Sequence, residues 1–284
     1  MVVVVLMSVV ILGLTAMFTQ TQRAFKAGIS QTDVLEAGRM GTEMLSRELE
    51  QIIPSYAATN SFNGAGINFY TLLWNEFSMN LPANTSLHTN LISDLFFLVH
   101  ENQTWTGIGY FWVRDPNHQG TPTDPVPVGT LYRFETNVPS AQFAQNPGGL
   151  FTGYDRARRG ISTPNVSKIL DGVVSFNFRA YDTNGYWINP AGPITPIGQI
   201  WNQSDWSANF PIASYPPQVD YHFVSNAVPA FVEFELGIVE QGALDHYRSI
   251  PIYTVQTNYM AKQAGRVHLF RQRVAVRNVD RSAY

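Results

Sequence analysis

The sequence predicts an α+β fold: one long N-terminal α-helix, its first third membrane-spanning, packed on an antiparallel β-sheet domain with long loops. Three observations predict it. The first of the 17 prolines is Pro54, and because a proline costs about 3 kcal/mol inside a helix, its exclusion from residues 1–53 marks a continuous helix. Met1 to Phe18 carries no charged side chain and only Ser8 and Thr15 as polar interruptions. After Pro54, short apolar runs rich in aromatic and β-branched residues alternate with Gly, Pro, Asn and Asp clusters, the grammar of strands and turns.

Composition narrows the function classes. The chain has 284 residues, 45% of them hydrophobic and 14% charged, so it is long enough for a core and too apolar for a disordered chain. A net charge of −3 gives no global positive field for nucleic acid. There is no cysteine, which removes disulfides, thiolate nucleophiles and cysteine metal sites.

The helix reads in two parts. Residues 1–18 form the membrane and filament-core part, carried by Val2, Val3, Val4, Val5, Leu6, Val9, Val10, Ile11, Leu12, Leu14, Met17 and Phe18. Eighteen helical residues span about 27 Å, close to the thickness of a bilayer's hydrocarbon. A cleavable secretory signal is the competing reading, but it calls for a basic leader region and a break in the helical pattern. Residues 19–53 continue the same helix as an amphipathic segment, with Phe25, Ile29, Met44, Leu45, Leu49 and Ile52 facing the sheet and Arg23, Lys26, Asp33, Glu36, Glu43 and Glu48 facing water. Gly28 offers a joint, so an anchor plus a separate domain helix is the alternative.

Residues 54–284 form the β-rich domain. The clearest strands are Leu95 to His100, Thr106 to Arg114, Thr130 to Glu135, Val173 to Asp182, Phe231 to Glu240 and Arg266 to Val276, each with one face for a core and one for water. Long loops run from Asp115 to Gly129, Asn137 to Asn165 and Gly185 to Gln218, and loops of such length tend to carry function. Trp187, Trp201 and Trp206 in the last of them, with Arg271, Arg273 and Arg277 near the C-terminus, mark a candidate partner surface. Indoles that cover a sheet edge and a solvated strand face are the plainer readings of the same residues.

No pattern for catalysis or metal binding stands out. The six histidines are dispersed, and no Gly-x-Ser-x-Gly or His-Glu-x-x-His motif occurs. Asp182-Thr183-Asn184-Gly185 opens like a calcium loop, but Pro193 sits where the closing glutamate belongs, so a hairpin turn is the better reading. The expectation is a non-enzymatic chain with no cofactor and no metal.

Three stretches carry a family resemblance: the helix Thr15 to Ile53 with its late Arg-Glu-Leu-Glu, Lys168 to Trp187 (KILDGVVSFNFRAYDTNGYW), and Val228 to Ile238 (VPAFVEFELGI). In this order they resemble the type IV pilin-like minor pseudopilins of type II secretion, the general secretion pathway protein J family. The resemblance implies a type IV pilin-like fold and a structural subunit near the tip of a periplasmic pseudopilus. It also implies partners among the other minor and major pseudopilins, contact with an inner-membrane assembly platform and with membrane lipid, and a single-pass inner-membrane location with the C-terminal domain in the periplasm. The family's basic leader, and the Gly-Phe-Thr-Leu-x-Glu that follows it, match no residues here. A minor pilin of a type IV pilus or DNA-uptake filament is the nearest rival. A signal-anchored periplasmic binding module or enzyme that uses the tryptophan-rich loop is the more distant one.

Overall fold

Which backbone groups pair with which decides the architecture, and the pairing departs from a simple helix-on-sheet layout. A computed structural model describes residues 2–57, 66–81, 87–121, 124–160, 165–188 and 221–281. Helix α1 (Val2–Leu49) comes first, followed by strands β1 (Ile67–Asn80), β2 (Leu87–Glu101), β3 (Thr104–Arg114) and β4 (Gly129–Pro139). Helices α2 (Ser140–Gln145) and α3 (Gly149–Arg158) lead to β5 (Val166–Tyr181), β6 (Tyr221–Val224) and β7 (Phe231–Val239). Helices α4 (Gln241–Ser249) and α5 (Tyr253–Ala261) precede the last strand, β8 (Val267–Ala275). The predicted helix thus ends at Leu49, short of Ile53, because Glu50 to Ile53 already turn toward β2, where the Ile53 N–H donates to the Leu98 carbonyl at 3.1 Å.

The eight strands follow the order β6-β1-β2-β3-β4-β5-β7-β8. One further pairing changes the topology: β5 also meets β2 in parallel at Ile92↔Phe176, so β2, β3, β4 and β5 close on one another as a four-stranded barrel. This corrects the expected type IV pilin-like α+β layout of a helix on a plain antiparallel sheet. The physical cause lies in the bends. Register breaks between Gly129 and Tyr132 on β4 and between Val173 and Ser175 on β5 add local twist, and Gly172 sits at φ +69°, which only glycine adopts without strain. Long, strongly twisted strands coil until their edges meet, and closure then satisfies edges that would otherwise stay open.

Both sides of the central strands are buried, where the sequence suggested one dry face and one wet one. Along β2, Leu95, Phe97 and Val99 join the core under α1, whereas Phe96 and Leu98 point the other way into a second cluster with Leu150 and Tyr154 of α3. Gly109 on β3 lets the Tyr154 ring lie on the backbone, since a Cβ there would meet the ring at 2.2 Å. A third cluster, around Leu244, Tyr247 and Met260, packs α4 and α5 beside β1 and β7.

The location expected from the sequence is corrected too. Among the described residues no helix is long and apolar enough to cross a membrane, so a single-pass inner-membrane placement does not stand. The apolar run of α1 from Val2 to Phe18 is interrupted by Ser8, Gly13 and Thr15 and gives way to Thr19, Gln20, Thr21, Gln22 and Arg23.

Candidate functional site

The most unusual surface of the chain is the first half of α1. Val3, Leu6, Met7, Val10, Ile11, Leu12, Leu14, Met17 and Phe18 are all exposed, Leu14 at 62%. The side chains of Val2, Val4, Val5 and Val9 lie outside the described residues. Val3 and Leu12 are nine positions apart and therefore on opposite sides of the helix at about 100° per residue, yet both are bare apolar groups. A helix that is apolar all round is of the kind that is buried on every side. Thr15 and Thr21 turn their hydroxyls back to the Ile11 and Met17 carbonyls at 2.8 and 2.9 Å, so these polar side chains are spent within the helix.

The second half of α1 is docked. Val34, Leu45 and Leu49 are buried, as is Ile52 just beyond the helix, with Met44 and Ala37 packed at the margin of the same cluster. Phe25 and Ile29, predicted to face the sheet, are instead 69% and 58% exposed. The helix meets the domain only from Val34 onward, so the predicted stripe begins about two turns too early. Close approach is set by two glycines: a Cβ on Gly38 would fall 2.1 Å from the Phe270 ring, and one on Gly41 2.7 Å from Leu170.

Glu48 fixes the end of the helix against the barrel. Its carboxylate accepts from the Tyr110 hydroxyl at 2.5 Å and from the Arg133 guanidinium at 3.0 and 2.8 Å. Burial, then the Glu48 charge, pushes the Tyr110 hydroxyl well above its ordinary pKa, so it remains a donor at any physiological pH. Arg133 also pairs with Glu135. From the C-terminal end of the chain, Arg277 pairs with Glu50, the Arg277 N–H donates to the Glu50 carbonyl at 3.1 Å, and Asn278 donates to the Ile52 carbonyl at 3.3 Å. The sequence reading placed Glu48 on the wet face. Its spacing from Leu45 and Ile52, three and four residues, sets it on the docking stripe, and that was the signal available.

The predicted partner surface is mostly engaged within the chain. The Trp187 indole packs on the main core and donates to the Tyr221 hydroxyl at 2.7 Å, with Arg179 over its ring. Trp201 and Trp206 lie outside the described residues. Arg271 pairs with Glu235 at 2.5 Å, and Arg273 lies 3.9 Å from the Tyr181 ring centroid. The Asp182 carboxylate accepts from the Asn184 and Tyr186 amides, closing a turn. The Asp115–Gly129 loop is tied down by the fully buried Asp115, which pairs with Arg248 at 2.6 Å, while Arg248 also reaches Asp171 at 2.9 Å. Gln256 braces the same loop through the Gln119 amide and the Asn117 carbonyl.

Groups with catalytic potential are scattered. Among the described residues no cluster of three or more His, Asp or Glu side chains is arranged to hold a metal ion. His100 approaches Ser140 at 3.1 Å, but that hydroxyl donates to the Gln103 carbonyl, so the imidazole is placed to donate to the serine and not to take its proton. His222 is buried and its pKa falls to about 4 as a result, which makes it a neutral core residue. No protein-family model matches this chain, and neither a curated protein nor a solved structure shows significant similarity to it.

Proposed function

We propose that the protein is a structural, non-enzymatic assembly subunit of the minor-pseudopilin kind, serving protein export by type II secretion. In this reading the first half of α1 inserts among the helices of other pseudopilin subunits, and the β domain remains on the outside of the resulting assembly. The single observation that carries it is the exposed apolar surface that the described side chains between Val3 and Phe18, from Leu6 and Met7 to Leu14 and Phe18, present around an uncharged helix. Such a surface is too large and too apolar to be left in water, and its all-round character calls for several helical neighbours. Glu48, Gly38 and Gly41 hold the rest of the rod on the β domain, so an axial load on the helix passes directly to the barrel.

The test is Leu14→Arg in the full chain. The arginine variant is expected to abolish co-assembly with pseudopilin partners, read by co-purification and by restoration of export in a strain lacking the subunit, while near-ultraviolet circular dichroism of the β domain stays unchanged. Full export by a correctly produced arginine variant would overturn the proposal.

A further inference from the structure

The exposed Phe25 and Ile29 do not stand alone. With Leu35, 45% exposed, they continue an apolar stripe that begins in the first half of α1. Met7, Ile11, Leu14, Phe18 and Phe25 follow one another at spacings of four, three, four and seven residues, and Leu35 lies ten beyond Phe25. Such positions fall on the alternating four-and-three spacing of a helix that coils with another helix. Thr21, Gly28 and Thr32 occupy the remaining places on this seam. Both threonine hydroxyls donate within the helix, Thr21 to the Met17 carbonyl at 2.9 Å and Thr32 to the Gly28 carbonyl at 3.0 Å, so burial of the seam strands neither proton. Phe25 and the docked Val34 are nine positions apart, hence on opposite sides of the helix at about 100° per residue, and the seam faces away from the β domain.

Charge is kept off this side of the helix. Between Met7 and Leu35 the charged residues are Arg23, Lys26 and Asp33, and none of them falls on the seam or on the positions that flank it. Flanking positions set partner choice in paired helices through their charges. Around Arg23 and Lys26 they are Gln22 and Ile29 on one side and Ala24 and Gln31 on the other, all uncharged. Two copies of α1 laid seam to seam therefore meet without repulsion, whereas a partner chosen by charge would find nothing to match. Direction follows from size. In a parallel, in-register pair Ile11 meets Ile11, Phe18 meets Phe18 and Thr32 meets Thr32; run antiparallel over the same length, Phe18 would face Gly28 and Leu14 would face Thr32. A β-branched residue at one seam position and leucine at the next, as at Ile11 and Leu14, favours two parallel strands.

We infer that α1 pairs along this seam with α1 of a second copy of the chain, parallel and in register, from Met7 to Leu35. The inference rests on the assembly reading above, of which it names one neighbour. It gives Phe25, Ile29 and Leu35 a purpose that the all-round apolar surface ending at Phe18 does not supply. Each β domain holds its own helix from the far side, through Val34, Gly41 and Leu45, so the two domains of the pair lie outside and leave the seam clear. The other faces of the first half stay available to further helices.

The chain has no cysteine, so single cysteines introduced into the full chain report the register directly. In mild detergent with diamide as oxidant, Thr21→Cys and Thr32→Cys are each expected to cross-link to the same residue of a second copy, because facing seam positions come within disulfide reach. Arg23→Cys and Asp33→Cys, off the seam, are expected to stay uncross-linked. Gly28→Leu adds a seam leucine where a Cβ meets nothing within 4 Å in the isolated chain. It is expected to tighten self-association in sedimentation by about tenfold, or about 1.4 kcal/mol, and Phe25→Ser to weaken it by as much. The inference is overturned by no cross-link at Thr21→Cys and Thr32→Cys, by equal cross-linking at Arg23→Cys and Asp33→Cys, or by unchanged association in Gly28→Leu and Phe25→Ser. Loss of the seam cross-link in a chain that still co-purifies with pseudopilins overturns this inference alone. Seam cross-linking in a chain that joins no pseudopilin upholds the pair and overturns the wider assembly instead.

Discussion

The two halves of α1 share one backbone and differ in everything that surrounds it. From Val3 to Phe25 the helix is the more hydrophobic half and the more exposed, whereas from Val34 to Leu49 it carries several charges and is the half that docks. Hydrophobicity alone therefore does not decide burial within the chain. What docks the second half is shape and pairing: two glycines that admit Phe270 and Leu170, and one carboxylate matched to a tyrosine and an arginine. The first half has the driving force for burial without any surface of its own chain shaped to receive it.

The largest test of this contrast compares truncations in the two halves. Leu49→Ala, at a fully buried position, is expected to cost about 2 to 5 kcal/mol in denaturant unfolding. Leu14→Ala, at an exposed one, is expected to stay within about 0.5 kcal/mol under the same conditions. Equal losses would erase the distinction. Next in size is Glu48→Ala, which leaves the Tyr110 hydroxyl without its acceptor and Arg133 with Glu135 as its remaining partner, and is expected to cost about 1 to 3 kcal/mol. Gly38→Ala follows, at about 1 to 3 kcal/mol from overpacking against Phe270. The double variant with Phe270→Ala is expected to recover part of that loss, and strict additivity would show that the contact does not set the docking distance.

The smallest expected effect is electrostatic and belongs to the barrel wall, away from α1. Burial raises the Asp94 carboxyl to about 6, against the pull of Arg158 at 2.9 Å. A carboxyl with a raised native pKa binds more protons folded than unfolded, so its contribution to stability falls as pH rises from 3.8 to about 6 and is flat above that. The stability difference between wild type and Asp94→Asn is therefore expected to drift across that window and level off above it. A difference that does not change between those pH values would contradict the assignment.

Much of the local structure was legible in the sequence. The proline-free segment, the apolar run and the alternating strands such as Val173 to Asp182 each carry a periodicity that a reader can count. Two features were not. Closure of the barrel depends on Ile92 meeting Phe176, a contact between strands far apart in the chain that leaves no mark in either strand's own pattern. Helices α2, α3, α4 and α5 are short, and α3 contains Gly149 and Gly153 while α4 contains Gly242, so propensity argued against them and tertiary packing overrode it. The candidate surfaces divide in the same way. The apolar run announced the exposed half of α1, whereas the arginines assigned to partners found acids and rings within the chain, which charge pattern alone does not reveal.

Docking of α1 has a consequence for how the chain is made. The groups that hold its second half include Phe270 of β8 and Arg277 beyond it, near the opposite terminus. A ribosome delivers the helix first and this part of its clasp only after the intervening strands have emerged. Until β8 has emerged, the docked half can hold only to Tyr110, Arg133 and Leu170 of earlier strands, so its seat is completed by the last of the described strands to be made.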